Sequence, residues 1–585
     1  MKVNKYNEDE TNIKFSFQNI KRGFKYTKGN YGKLIVILMI SIISTILMLL
    51  IVPIFSYVLD EVLPNGNLNQ LYLMGIILIV ILIVYHILEY FNTKLTVKVR
   101  QKMIVEIKDE LFSHMQYLSY DFFNSRPSGK ILVRLTDYAA NIASFITHHL
   151  LSTFVDLLRV IFVIIFMLNT NVPLTFVVLS GVLILIVIYR FVTPKRRKLR
   201  QNLNNKWSNL NAFQLESVKG VQTVQSFNRE EKNRDILDDL NMDFIKSLKP
   251  AAYLGNLNWS STEIISQLVL AMILIVGTNV LFPNITLGII VAMITYSNRF
   301  YSPIRRFFKT LDQSIDVTTY VERVFELLDE PIVIKDHENS QEITMSGAIE
   351  FKDVSFSYID NHPVLTNINF EVKAGEKVAI VGETGSGKTT IINLMARFYD
   401  KDSGSILFDG VDVADIKISS LRKNINVMLQ DNFLFTMSIL ENLRISNPFM
   451  DKKEVIKIMK QMNLHDFIMS FENGYDTILD NGGSNLSQGQ KQLLCYARAI
   501  IEDPRILILD EATSKIDTLT EKLLNESLNT LLENRTVIMI AHRLSTIVHC
   551  DKIMLIKDHQ IHESGTHQEL MKKRGEYYKL YTSQL

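Results

Sequence analysis

The chain has 585 residues, too many for one compact core, since a domain usually takes about 100–200 residues. Its 63 Lys and Arg nearly balance its 61 Asp and Glu, and the resulting charge of +2 argues against a protein built mainly to bind nucleic acid. The two cysteines, Cys495 and Cys550, are too few for a disulfide scaffold or a cysteine-ligated zinc module. A mean hydropathy of +0.13, with 21% charged residues, indicates a very apolar region joined to an ordinary one.

The apolar region lies in the first 310 residues. A bilayer core about 30 Å thick needs about 20 apolar residues per helix, whereas the apolar runs of buried core helices have about 10–14. Six stretches of the chain reach the longer length, and we predict that each forms a transmembrane helix. They are residues 34–58, 71–91, 146–168, 173–193, 256–281 and 285–308.

Positive charge divides the segments between these spans into two kinds. The short loops 59–70, 169–172 and 282–285 contain no Lys or Arg, whereas the first 33 residues and the long segments 92–145 and 194–255 contain many. The positive-inside rule then predicts that both termini and both long segments are cytoplasmic. A chain that crosses a membrane several times is therefore expected.

The two long segments carry apolar residues at helical spacing among many charges, so they predict cytoplasmic extensions of the membrane helices. The pattern leaves open whether their tips are only solvated or contact another domain. Residues 305–331 predict a charged amphipathic helix that ends at Pro331. The predicted organisation is a cytoplasmic N-terminal segment (1–33), a transmembrane domain (34–310), a linker (311–340) and a soluble domain (341–585).

The soluble domain alternates short apolar runs with helical stretches, which predicts an α/β fold. An alternating run at 348–358 predicts an early strand. The runs 377–382, 506–510 and 536–541 are apolar throughout and predict strands buried on both faces.

Residues 382–389 read Gly-Glu-Thr-Gly-Ser-Gly-Lys-Thr and fit the phosphate loop G-x-x-x-x-G-K-[ST], between a predicted strand and a helical stretch. The glycines let backbone N–H groups surround phosphates, Lys388 would reach the β- and γ-phosphates, and Thr389 would bind Mg²⁺. The predicted fold class is therefore a membrane α-helical bundle, six transmembrane helices with long cytoplasmic extensions, plus a C-terminal α/β P-loop ATPase domain. The candidate ATP-binding residues here are Gly382, Glu383, Thr384, Gly385, Ser386, Gly387, Lys388, Thr389 and the adjacent Thr390.

The predicted strand 506–510 ends in Asp510, and Glu511 follows at once. An aspartate at the end of a buried strand that faces a phosphate loop is positioned to hold Mg²⁺. Glu511 could polarise a water for in-line attack on the γ-phosphate. With a phosphate loop upstream, the pair favours ATP hydrolysis over a structural acidic cap.

Residues 486–490, Leu-Ser-Gln-Gly-Gln, resemble the LSGGQ signature of ATP-binding cassette (ABC) transporters. From about residue 20 to 585 the chain resembles an ABC exporter half-transporter, with a six-helix membrane domain followed by a nucleotide-binding domain. In this family the signature binds ATP held by the other subunit, so the resemblance implies a dimer that uses ATP and Mg²⁺. It implies these further roles: Tyr358 stacks on adenine, Gln430 binds Mg²⁺ and links the site to the membrane domain, His542 contacts the γ-phosphate, and Ser487, Gly489, Gln490 and Asp517 contact nucleotide.

Three positions depart from the family pattern. Gln488 replaces the usual glycine of the signature, Asn481 replaces a glutamate that touches the coupling helices, and Met437 replaces a glycine. The last two concern contacts with the membrane domain, and they would suit a heterodimer whose interfaces differ. By the same resemblance, the hairpin tips near 119–125 and 214–222 would be the coupling helices that rest on the nucleotide-binding domains.

The resemblance implies an exporter that uses ATP to move a hydrophobic or amphipathic compound, a drug or lipid-like molecule, out across the plasma membrane by alternating access. The alternatives are a bacteriocin or peptide exporter, and an ATP-binding regulatory half of a heterodimer. Homodimer and heterodimer both remain open, as does the cargo. Ionisable residues inside apolar spans point to cargo binding or gating, and Asp156 and Arg159, three apart on one helix face, could simply pair. The candidates are Glu89, Asp156, Arg159, Glu263 and Arg299.

Overall fold

A computed structural model divides the chain into two compact units. The first comprises the chain up to Gln116 and Ser128–Glu330, and the second comprises Tyr117–Pro127 and Pro331–Leu585. The structure describes residues 21–126, 128–280, 285–359, 361–428, 433–511, 523, 528, 531–541 and 547–583.

Up to residue 330 the described residues form helices joined by short turns. The first helix opens with a 3-10 segment, Phe24–Asn30. In chain order the helices are α1 (Lys21–Val62), α2 (Leu68–Met115), α3 (Tyr120–Ser125), α4 (Ser128–Thr170), α5 (Val172–Lys219), α6 (Val221–Ser226), α7 (Glu230–Val280) and α8 (Leu287–Leu328).

Among the described residues, α1, α2, α4, α5 and α7 are long and apolar enough to cross a membrane, and each contains one predicted span. The sixth predicted span, 285–308, lies in α8, which is not among the five. Polar residues interrupt its apolar run at Ser297, Asn298 and Arg299. Ser297 and its neighbour Tyr296 are each only 1% exposed, so this part of α8 is packed against protein.

The long segments after the second and fourth predicted spans begin as helix, as predicted: α2 and α5 continue past those spans to Met115 and Lys219. Helices α2 and α5 each have 48 residues. At 1.5 Å per residue each is roughly 70 Å long, about twice the thickness of the bilayer core. Asn171 alone joins α4 to α5, and its side chain accepts a hydrogen bond from the Leu174 N–H at 3.1 Å, which caps α5.

The core of the first unit brings several distant helices together. Leu49 of α1, Val163 of α4, Val178 of α5, Ile273 of α7 and Met293 of α8 are all at most 1% exposed and belong to one apolar cluster. The predicted amphipathic helix at 305–331 is confirmed as the second half of α8. This helix continues unbroken across residue 310, where the linker was predicted to begin, and stops at Leu328 before Pro331.

The second unit contains the predicted strands, together with others that lack a clear sequence pattern. The strands are β1 (Ile349–Ile359), β2 (His362–Val372), β3 (Lys377–Gly382), β4 (Ser403–Phe408), β5 (Val411–Asp412), β6 (Ile425–Met428), β7 (Ile506–Glu511), β8 (Thr536–Ala541), β9 (Lys552–Lys557) and β10 (Gln560–Gly565). The helices are α9 (Lys388–Met395), α10 (Ile418–Asn424), α11 (Ile439–Leu443), α12 (Lys452–Gln461), α13 (His465–Met469), α14 (Gln488–Glu502), α15 (His567–Lys573) and α16 (Glu576–Ser583).

These strands form two sheets. One is antiparallel, in the order β2-β1-β4-β5, and the other has the order β10-β9-β3-β8-β7-β6. In the second sheet all neighbours are parallel except β10 and β9. Parallel strands are buried on both faces, and the inner residues Val378–Val381 of β3 are at most 1% exposed.

Asp409, in the turn after β4, ties that strand to the segment that leads into β1. Its carboxylate accepts hydrogen bonds from the backbone N–H of Ser346 at 2.6 Å and of Ala348 at 2.9 Å, and from the Ser346 hydroxyl at 2.6 Å. Burial raises the pKa of Asp409, but these hydrogen bonds together outweigh burial and lower it.

We expect Asp409→Asn to destabilise this corner by about 1–3 kcal/mol, because an amide cannot replace a carboxylate that accepts several N–H bonds. Hydrogen exchange at the Ser346 and Ala348 amides should rise at pH 7. Because the folded pKa lies below the unfolded value of about 3.9, the difference from wild type should persist above pH 4 and shrink as pH falls through the folded pKa. Asp558→Asn is the matched control, since Asp558 is exposed and shares the left-handed backbone. Unchanged exchange in Asp409→Asn would contradict this account.

Candidate nucleotide-binding site

The phosphate loop connects β3, near the centre of the parallel sheet, to the start of α9. Gly385 and Gly387 have φ of +86° and +103°, which a residue with a side chain rarely adopts. A Cβ on Gly387 would also lie 2.6 Å from a Leu365 methyl group and 3.1 Å from the Val364 carbonyl oxygen. The predicted strand–loop–helix context is confirmed, and the loop geometry requires glycine.

Lys388 is 7% exposed, and its Nζ donates hydrogen bonds to the carbonyl oxygens of Gly382 and Glu383, both at 2.8 Å. Burial lowers the pKa of Lys388, and the negative charge of Asp510 opposes this effect. The Ser386 hydroxyl is buried and has no hydrogen-bond partner among the residues that the structure describes. A buried ammonium and an unpaired hydroxyl inside a glycine loop fit the phosphates of ATP.

Asp510 reaches the same edge of the sheet as the phosphate loop. Strand β7 is parallel to β8, which is parallel to β3, so all three end on one side. In this register Asp510 lies opposite Ile540, and its charge acts on Lys388. The structure therefore brings together two of the predicted site residues that are 122 positions apart in the sequence.

The remaining residues predicted for catalysis and Mg²⁺ binding are only partly described. Thr389 is exposed at the second position of α9. Glu511 is the last residue of β7, where its backbone pairs with Ala541, but its side chain is outside the description. Gln430, Asp517 and His542 lie outside the described residues.

Tyr358 is 41% exposed, and its hydroxyl is fixed by α9. The hydroxyl donates to Thr390 Oγ1 at 3.2 Å and accepts from Asn393 Nδ2 at 3.1 Å. Thr390, which is 4% exposed, thus supports the tyrosine ring. An aromatic ring anchored to the helix that follows the phosphate loop offers a surface on which an adenine could stack.

The signature segment forms the start of α14, a helix of 15 residues. Ser487 is its N-cap and forms a capping box with Gln490: the Ser487 hydroxyl accepts the Gln490 N–H at 3.2 Å, and the Ser487 N–H donates to Gln490 Oε1 at 2.9 Å. Gly489 is buried, whereas Gln488 is exposed at the first helical position. The departure from glycine at 488 therefore leaves the helix start intact.

Comparisons with known proteins agree with this geometry. The family model for the ABC transporter transmembrane region matches residues 34–304, and a second model, described as ABC transporter, matches residues 365–514. The ABC transporter ATP-binding protein YknV of Bacillus subtilis is 34% identical over 588 residues, which cover 99% of this chain and 97% of that protein. The chain belongs to the ABC exporters.

A Staphylococcus aureus protein named provisionally as a multidrug export ATP-binding/permease protein is 33% identical over 578 residues, 97% of this chain and all of that protein. The structure of a bacterial Atm1-family ABC exporter with ATP bound matches with a TM-score of 0.79 and 25% identity, over 95% of this chain and 98% of that chain. The chain is thus a half-transporter and an ATP-hydrolysing enzyme of the multi-pass membrane type.

The residues that join α3 to the ATPase domain of this half-transporter were not predicted from the sequence. The Tyr120 ring of α3 stacks on Phe398 with centroids 5.6 Å apart and meets Tyr399 edge-on at 6.4 Å. Tyr399 in turn contacts Tyr358 edge-on at 5.0 Å. The prediction that the 119–125 tip contacts the ATPase domain is confirmed. The adjacent aromatic residues Phe398 and Tyr399, just after α9, were the sequence feature that could have indicated this contact. The second predicted tip, 214–222, lies in the first unit.

We expect Lys388→Ala to lower the affinity for ATP by about 10- to 100-fold, because a charge-assisted bond to phosphate contributes about 1.5–3 kcal/mol. Binding of a fluorescent ATP analogue to the full-length protein in nanodiscs measures the loss. Lys401→Ala is the control, since Lys401 is also largely buried but bonds to Asp412 at 2.9 Å. Equal affinity in Lys388→Ala and wild type would rule out the phosphate-binding role.

Proposed function

We propose that this half-transporter couples ATP hydrolysis to the export of a hydrophobic or amphipathic compound, a drug or lipid-like molecule, across the plasma membrane. The observation that carries the proposal is the site formed by the phosphate loop, Lys388 and Asp510, in the same chain as five apolar helices of membrane-spanning length. The relative named for multidrug export supports the cargo class. The Lys and Arg distribution around the spans supports cytoplasmic termini and a cytoplasmic ATPase domain.

In this proposal each residue of the predicted nucleotide site has a defined role. The phosphate loop and Lys388 bind the β- and γ-phosphates, and Tyr358 stacks on adenine. Thr389, Asp510 and Gln430 would hold Mg²⁺, which neutralises phosphate charge when bound. Glu511 orients and polarises the attacking water, and His542 contacts the γ-phosphate.

The functional unit is a dimer. The chain has one phosphate loop and one signature, and Ser487, Gly489 and Gln490 start a helix whose N-terminal end favours phosphate. Each signature, together with Asp517, would complete the ATP site of the other chain. ATP then favours the closed pair of ATPase domains, and hydrolysis releases it, so that the membrane domain alternates between inward and outward access.

The contact between α3 and the ATPase domain supports a route for this coupling. Tyr120 touches both Phe398 and Tyr399, and Tyr399 touches Tyr358. A shift of Tyr358 on adenine binding would therefore be transmitted through two ring contacts to α3.

We expect Glu511→Gln to bind ATP normally and to stop turnover, because the amide cannot accept a proton from water. Steady-state ATPase activity, ATP binding and oligomeric mass should be measured on one nanodisc sample of the full-length chain. Near-normal hydrolysis in Glu511→Gln would contradict the assignment of Glu511 as the general base. A wild-type dimer that binds ATP but never hydrolyses it would instead favour the regulatory half of a heterodimer.

We expect Tyr120→Ala to leave ATP affinity unchanged and to reduce cargo-stimulated ATPase activity by up to about tenfold, since an aromatic pair contributes about 0.5–1.5 kcal/mol. Tyr117→Ala is the matched control, because Tyr117 precedes α3 and is 68% exposed. Stimulation that survives in Tyr120→Ala would show that coupling does not pass through this ring.

A further inference from the structure

The membrane unit buries a carboxylate that is paired across two helices. Asp156 of α4 is 5% exposed, and both of its oxygens accept hydrogen bonds from Arg306 of α8, each at 2.7 Å. This bidentate pair neutralises Asp156. Arg159, the partner expected from the helix spacing, lies farther away, with its Nη1 3.5 Å from Asp156 Oδ1.

Two further arginines lie near this pair. Arg299 is two turns before Arg306 on α8, so both project from the same side of that helix. Its Nη1 donates to the Met48 carbonyl oxygen of α1, a neutral partner. Arg299 and Arg159 repel each other electrostatically, and Arg159 is also repelled by Arg306. We name Arg159, Arg299 and Arg306 the arginine cluster.

The carboxylates near the cluster do not balance it. Asp156 is shared between Arg306 and Arg159, and Glu89 of α2 attracts Arg159. Among the residues that the structure describes, these three guanidinium groups therefore face two carboxylates, an excess of one positive charge. Arg305 is not part of this balance, because it pairs with Glu263 at 3.4 Å.

An excess positive charge inside a membrane domain costs about 2.5–3.5 kcal/mol even on the lowest scale, so it indicates a function. The Asp156–Arg306 pair alone would suffice to join α4 to α8. The Arg159 side chain, however, remains 35% exposed, whereas that of Asp156 is 7% exposed. A guanidinium group that is partly exposed within an apolar helical bundle can donate hydrogen bonds to an anionic ligand.

We propose that Arg159 and Arg299 bind the anionic group of an amphipathic cargo, a carboxylate, sulfonate or phosphate attached to an apolar body. This inference rests on the proposed export function and names its substrate class. The Asp156–Arg306 pair holds α4 and α8 together, so that the two other guanidinium groups converge on one ligand.

The test compares two probes with the same apolar chain, N-dodecanoyl-taurine and dodecyltrimethylammonium, below their micelle concentrations. The full-length protein is held in phosphatidylcholine nanodiscs, and both ATPase stimulation and direct binding of the radiolabelled probes are measured. Wild type should bind the anion more tightly than the cation. Arg159→Gln and Arg299→Gln should each weaken anion binding by about 10- to 100-fold, the effect of one charge-assisted hydrogen bond, and leave cation binding unchanged. Arg305→Gln, next to the cluster, should alter neither.

The proposed site would be contradicted if the wild type bound the cation more tightly, or if the arginine variants lost binding of both probes equally. Unchanged selectivity with a lower unfolding temperature would assign the arginines to structure alone and overturn it too. Probe binding is measured independently of ATP hydrolysis. A protein that binds the anion selectively but hydrolyses no ATP would therefore support the binding site and contradict the export function. Repeating the titration with phosphatidylglycerol in the nanodisc identifies the source of the anion: competition supports a lipid headgroup, and its absence supports a soluble amphiphile.

Discussion

The ammonium group of Lys388 lies 2.8 Å from two carbonyl oxygens of its own loop, and the organisation of the ATPase domain depends on this contact. The contact depends on the loop that connects the end of β3 at Gly382 to the start of α9 at Lys388, in which Gly387 has a left-handed conformation. The parallel order of β3, β8 and β7 brings Asp510 to the same edge of the sheet as this loop. A charged group buried at a helix start is costly unless an anion occupies the site, so the loop is organised for phosphate.

Aromatic contacts extend from this centre to α3, a segment that lies within the first 130 residues yet packs with the ATPase domain. Tyr358 is fixed through its hydroxyl to Thr390 and Asn393, and Tyr399 bridges it to Tyr120. Ring contacts of this kind depend on both distance and angle, so a displacement at one end changes the fit at the other. Two ring contacts, Tyr358 with Tyr399 and Tyr399 with Tyr120, therefore connect the candidate adenine site to α3.

In the membrane unit, packing against protein keeps polar side chains away from lipid. Asp156 is satisfied by Arg306, and the polar stretch of α8 near Ser297 is buried. This explains why α8 is less apolar than the other long helices: lipid does not have to solvate its polar positions. The arginine cluster differs from this pattern, because its positive charges exceed the nearby carboxylates among the described residues.

The sequence by itself determined the features that depend on local order. The phosphate loop, the buried strands β3, β7 and β8, and five apolar helices were predictable because each is encoded in consecutive residues or a short period. It also identified Asp156 and Arg159 as ionisable residues in a span, but helical spacing pointed to a pair between them. That pair is present, with Arg159 Nη1 3.5 Å from Asp156 Oδ1, but only the tertiary structure revealed the closer partner Arg306, 150 residues away, whose Nε and Nη2 each lie 2.7 Å from the carboxylate. The contact of Tyr120 with Phe398 and Tyr399 is likewise a result of chain packing, since no period or motif connects residues so far apart in the sequence.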